Sequence, residues 1–221
     1  MIYDHVTCIL MSLRLFVSLK RHVHVHDIQA TMVDIASLVG GFNGPFEDPD
    51  FPPNEHSLYV DPDEPMPAFS GRQIVWKRPE ELAQNPQLFV DDESEEGDGA
   101  EANDIIQGSL GDCFLLSAAA ILTSARGHDL IRKLFINHGK YFARGLLSIR
   151  FFKQGRWMDI AIDTRIPCLE GGVPCFVRMK DPSEFWMIFL EKAYAKVRAH
   201  ARTPACAQAR TRAYANARVR A

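Results

Sequence analysis

The stretch that most constrains this chain is Asp112 to Thr123, Asp-Cys-Phe-Leu-Leu-Ser-Ala-Ala-Ala-Ile-Leu-Thr. Its apolar residues run on without the polar stripe of a surface helix. It therefore predicts a helix that is central and buried. Gly108-Ser109-Leu110-Gly111-Asp112 in front of it supplies turn residues and a cap. Burying such a helix needs apolar material elsewhere, and 47% of the 221 residues are hydrophobic against 24% charged. Those proportions suit a globular protein and exclude a wholly disordered, collagen-like or coiled-coil chain.

Other elements are legible from period and turn chemistry. Leu146 to Lys153 and Arg156 to Asp163 read as paired strands joined at Gln154-Gly155, with Met158, Ile160 and Ile162 at period two. Ile74-Val75-Trp76 predicts a short strand, and Pro79-Glu80-Glu81-Leu82 a helical turn with proline at its first position. A second long helix is predicted from Asp181 as N-cap, with Pro182 next and Glu184 at the capping-box position. Phe185, Phe189, Ala193 and Val197 mark its buried face. The fold class is α+β.

The flanks read differently. Residues 1–44 form a leader in which His22, His24 and His26 alternate; nothing nearby adds a metal ligand at a recognisable spacing, so the reading is an exposed strand or unstructured leader. Seven prolines between 45 and 67, interleaved with Phe46, Phe51 and Tyr59, predict extended chain laid along a domain surface. Residues 91–104 carry eight acids and no base, an acidic surface loop without helix-loop-helix calcium spacing. Residues 198–221 form an Ala/Arg-rich tail expected to be disordered. The net charge of −3 gives no reason to expect nucleic acid. No run of 18 apolar residues predicts a membrane span. Five cysteines without a Cys-x-x-Cys spacing argue against a disulfide framework or a zinc site and suit a reducing, cytoplasmic compartment.

Chemistry concentrates at Gln107-Gly108-Ser109-Leu110-Gly111-Asp112-Cys113-Phe114. A cysteine in the first turn of a helix meets unpaired N–H groups and the positive end of the helix dipole, which favour thiolate over thiol. The glycines let backbone approach a substrate carbonyl. Gln107 can curl back as a side-chain donor beside the Cys113 N–H, the two donors an oxyanion needs. The competing reading is a buried structural cysteine.

These residues resemble the catalytic-cysteine motif of the calpain family, calcium-dependent intracellular cysteine endopeptidases with a papain-like fold. Further stretches resemble the family in the same order: Phe46 to Pro52, Ile74 to Pro79, Asn85-Pro86-Gln87, Gly155 to Asp159 with Ile162-Asp163, Glu184-Phe185-Trp186 and Leu190 to Lys196. The resemblance spans residues 45–197 and implies a papain-like cysteine protease fold, truncated to the nucleophile-bearing subdomain. It implies Cys113 as nucleophile, Gln107 as oxyanion donor, and Asp104 and Glu184 as calcium ligands. Protein substrates would bind in a cleft shared with a second subdomain.

Two departures stand out. Phe114 replaces the usual tryptophan, and the acidic segment is longer than the family's glycine-rich calcium loop. The Gly-His-Ala-Tyr-like and Asn-Pro-Trp-Gly-like motifs that carry the catalytic His and Asn are missing from the sequence. His128 follows a glycine but stands 15 residues beyond Cys113, roughly 20 Å along a helix. The expectation is a protease subdomain inactive by itself, whose missing half another chain or segment would supply. The cleft side around Cys113 and Trp186 should then lie open. The alternative is a non-catalytic calpain-like binding or regulatory protein.

Overall fold

The computed structural model describes residues 44–59, 69–90, 105–108, 112–123, 130–136, 138–153 and 155–202, the side chains of 199–202 excepted. The histidine triplet, the acidic segment with Asp104, and His128 lie outside the described residues.

In chain order the elements are α1 (Glu55–Leu58), β1 (Ile74–Lys77), β2 (Ile105–Ile106), α2 (Cys113–Thr123), β3 (Phe135–Ile136), α3 (His138–Tyr141), β4 (Leu146–Lys153), β5 (Arg156–Asp163), β6 (Ile166–Leu169), β7 (Arg178–Met179) and α4 (Trp186–Arg202). Short 3-10 turns, including Pro79–Glu81, link them. Helices and antiparallel sheets are thus mixed: β1 pairs with β6, β2 with β7, and β3-β4-β5 form a meander.

The β4–β5 hairpin has the bounds read from the sequence. Its connection includes Gly155 at φ 80°, a left-handed conformation that glycine adopts without a Cβ penalty. The register pairs Leu147 with Ile162 and Ile149 with Ile160, and this face enters the main core with Trp186, Phe185 and Phe189. Leu146 and Ala161 instead meet Phe46 and Tyr141 in a second cluster. The hairpin is therefore covered on both sides, and the proline-rich lead-in supplies part of the second cover.

Charged groups fasten that lead-in. Lys196 of α4 donates to both carboxylate oxygens of Asp48, at 2.8 and 2.7 Å, and to the Ala161 carbonyl at 2.9 Å. The Asp48 N–H donates to Asp163, whose other oxygen takes the Lys192 ammonium at 2.6 Å. Arg78 donates to the Phe46 carbonyl and the Thr164 hydroxyl. Each buried cation thus has carboxylate or carbonyl partners, the condition under which burial of charge is tolerated.

Three expectations need correction. The second long helix begins at Trp186, not after Asp181. Asp181 does accept from Ser183, by both backbone and hydroxyl, but this closes a separate turn. Glu184 stays extended because Gln87 bridges to it: the Gln87 N–H donates to the Ser183 carbonyl. At its other end the helix continues past Val197 to Arg202. Alanine and arginine are strong helix formers, so the change of composition does not mark the helix boundary; residues 203–221 lie outside the described residues. Finally, α2 is buried on one side only. Leu115, Leu116, Ala119 and Leu122 face the core, whereas Cys113, Ser117 and Ile121, four residues apart, are exposed.

Candidate active site

Two elements mount the motif. On one side β2 pairs with β7, Ile105 against Met179 and Ile106 against Arg178, which carries Gln107-Gly108 alongside Phe176-Val177. The approach at Gly108 is so close that a Cβ there would lie 2.2 Å from the Phe176 carbonyl oxygen. Only glycine fits without moving backbone. Gln107, next in line, is exposed. On the other side the Asp112 carbonyl accepts the N–H groups of Leu115 and Leu116, at 2.8 and 3.3 Å, and so opens α2. Cys113 is its first residue, and Ser117 one turn on donates its hydroxyl to the Cys113 carbonyl at 2.7 Å. Residues 109–111 between the two mounts lie outside the described residues.

Three thiols fall among the described residues, and they divide sharply. Cys168 and Cys175 are buried. Desolvation, with the neighbouring Cys175 adding to it, pushes Cys168 up to about 12, and desolvation pushes Cys175 up to about 11. Both stay protonated and inert near neutrality. Cys113 is the exposed one. The reading of Cys113 as a buried structural cysteine is thereby ruled out. Phe114 turns the other way and packs edge-on against Tyr194 of α4, ring centroids 5.7 Å apart.

Glu184 is 3% exposed, and its Oε1 accepts the Val90 N–H at 3.2 Å. The capping box expected for it does not form, because the helix starts two residues later. Its carboxylate instead anchors the chain just where the acidic segment 91–104 departs. Asp104 belongs to that segment, so the pair is not brought together within the described residues, which hold no cluster of three or more metal-ligating side chains. His138 points away from the role of a base within its own subdomain: its Nδ1 lies 3.2 Å from the Phe135 carbonyl oxygen, and its ring meets Phe89 edge-on. Trp186, expected at an open cleft, is fully buried and stacked on Phe89.

Two residues near Cys113 are not singled out by the sequence, which presents Asp112 as a cap and Glu191 as part of a helix motif. Glu191 is buried, its Oε2 accepts the Val177 N–H at 3.1 Å, and it touches Asp112. An acid one position from the Leu190 core site on a helix with apolar residues on several faces was the available signal.

The structure thus sets an exposed thiol at the start of a core-backed helix, five residues after a close backbone approach that only glycine fits. Comparisons with known proteins give the family. A family profile described as calpain family cysteine protease matches residues 46–208. Calpain-1 catalytic subunit of Homo sapiens is 41% identical over 156 residues, covering 69% of this chain and 20% of that protein. The calpain-type cysteine protease DEK1 of Arabidopsis thaliana is 38% identical over 160 residues, covering 69% of this chain and 7% of its own length. Calpain-5 of Caenorhabditis elegans is 36% identical, with 22% of its length covered. The chain belongs to the calpain family of cysteine proteases. It spans less than a quarter of the length of these relatives. Among the described residues no helix is long and apolar enough to cross a membrane.

Proposed function

We propose that this chain carries the nucleophile half of a calpain-type cysteine endopeptidase, acting on proteins in the cytoplasm. The carrying observation is the exposure of Cys113 at the first turn of α2, while the other two described thiols are buried. Residues 45–197 correspond to the first catalytic subdomain of a papain-like fold. The Cys113 thiolate attacks the scissile carbonyl carbon, and the oxyanion accepts hydrogen bonds from the Gln107 amide and the Cys113 N–H. A histidine oriented by an asparagine, contributed by a second subdomain, takes the thiol proton and returns it to the leaving amine. Water then hydrolyses the thioester. The exposed stripe Cys113, Ser117 and Ile121 is the side of α2 that such a subdomain would cover.

Calcium suits the carboxylates assigned to it, because a hard cation takes oxygen ligands. Glu184 and Asp104 would hold it, with Glu184 fixed against Val90 at the root of the acidic segment. The ion would tie that segment to the start of α4.

The test is hydrolysis of a casein or fluorogenic peptide substrate. The chain alone should be inactive with or without calcium. Adding a separately produced second subdomain of a calpain should restore calcium-dependent turnover that Cys113→Ser abolishes. Turnover by the chain alone, or restored turnover indifferent to Cys113→Ser, would overturn the reading.

A further inference from the structure

Two carboxyl groups meet behind the first turn of α2. The Oδ2 of Asp112 is sealed from solvent and, among the described residues, has no hydrogen-bond donor. Glu191, on α4, is 6% exposed, and its Oε2 is held by the Val177 N–H at 3.1 Å. The two side chains lie within hydrogen-bonding contact of each other. An ionised carboxylate only accepts, so two ionised partners would leave each other unsatisfied and repel in a dry site. A single proton removes both problems.

Among the described residues the surroundings offer no other remedy. Lys192, adjacent on α4, is held by the Asp163 carboxylate and by the carbonyls of Asp163 and Arg165. Arg178 and Lys180, from the β7 side, are exposed. The cavity wall beside Glu191 is apolar, formed by Phe51, Trp76, Ile166, Phe176 and Ile188.

We infer that Glu191 is a positioning residue for the nucleophile: its carboxyl group donates to Asp112, locking the start of α2 and with it Cys113. Burial, reinforced by Asp112, pushes Glu191 up to about 9. The proton then stays in place across the physiological range. The pair adds a fixed internal support to the site, and it rests on the reading of Cys113 as nucleophile.

The full chain would be compared with Glu191→Gln, Glu191→Ala and Asp112→Asn. Urea unfolding is followed from pH 5 to 9, and alkylation of Cys113 by iodoacetamide is read by peptide mass spectrometry. The folded wild type holds a proton that the unfolded chain has released above the ordinary value of 4.5. Its unfolding constant should therefore rise by up to about tenfold per pH unit between there and about 9, relative to Glu191→Gln, whose amide donates at every pH. Asp112→Asn, with a donor of its own, should lose most of the same slope. At pH 7 Cys113 in Glu191→Gln should react within about twofold of wild type, while Glu191→Ala departs by more than about fivefold, the scale of one lost buried hydrogen bond. Parallel pH curves for wild type and Glu191→Gln would overturn the proposal. So would a Glu191→Gln variant whose Cys113 reactivity is as disturbed as that of Glu191→Ala. Should Glu191→Ala fail to fold, the pH curves of the Gln and Asn variants decide. Cys113→Ser should leave the proton linkage intact. Failure of the nucleophile reading shows separately, as turnover with the second subdomain that survives Cys113→Ser.

Discussion

Replacing Lys196 by methionine tests whether the lead-in segment belongs to the folded unit. Lys196 donates to both oxygens of Asp48 and to the Ala161 carbonyl. Asp48 is 2% exposed. Its remaining partners are the Asp50 N–H at 3.0 Å and, through its own N–H, Asp163. Methionine keeps most of the side chain's length and packing but removes three charge-assisted hydrogen bonds and strands a buried anion. Breaking one side of a buried pair costs about 3–5 kcal/mol. For a domain of this size each kcal/mol lowers the melting temperature by about 2–4 °C, so the drop should be about 6–20 °C. Circular dichroism melts at pH 7 measure it. The double variant Lys196→Met with Asp48→Leu removes both charges together and should regain more than half of the loss. A single-variant drop under about 2 °C, or a double variant worse than either single one, would refute the claim that this pair fastens the lead-in to α4.

Other outcomes follow from the same geometry. Gly108→Ala forces a Cβ to within 2.2 Å of the Phe176 carbonyl oxygen; turnover with the added second subdomain should fall at least about tenfold, since misplaced catalytic groups cost on that scale or more. Glu184→Ala leaves the Val90 N–H without its carboxylate partner and should cost about 1–3 kcal/mol in urea unfolding, and calorimetry should lose any heat of calcium binding. Native-state labelling at pH 8 should modify Cys113 quickly and leave Cys168 and Cys175 unmodified until the chain unfolds. Because burial raises Cys168 from 9.0 to about 12, its contribution to stability is full below pH 9 and is lost as pH rises toward 12; Cys168→Val should flatten the alkaline decline in melting temperature.

Much of this protein was readable from local signals. Period two and a glycine turn marked β4 and β5 to the residue, because a hairpin's register depends on its own two strands and its connection. The family motifs pointed to Cys113 and Gln107 as the proposed nucleophile and oxyanion donor, and four-residue spacing marked Phe185, Phe189, Ala193 and Val197 as buried. Other features depended on contacts distant in sequence. Whether Glu184 caps a helix or reaches Val90 is decided by Gln87, nearly a hundred residues earlier. The exposed stripe on α2 cannot be inferred from a run that is apolar throughout, because composition does not say which side has a neighbour. The pairing of Lys192 with Asp163, Lys196 with Asp48 and Glu191 with Asp112 joins groups whose burial is tolerable only with the partner in place. Each looks like an ordinary surface charge until the fold removes the water around it.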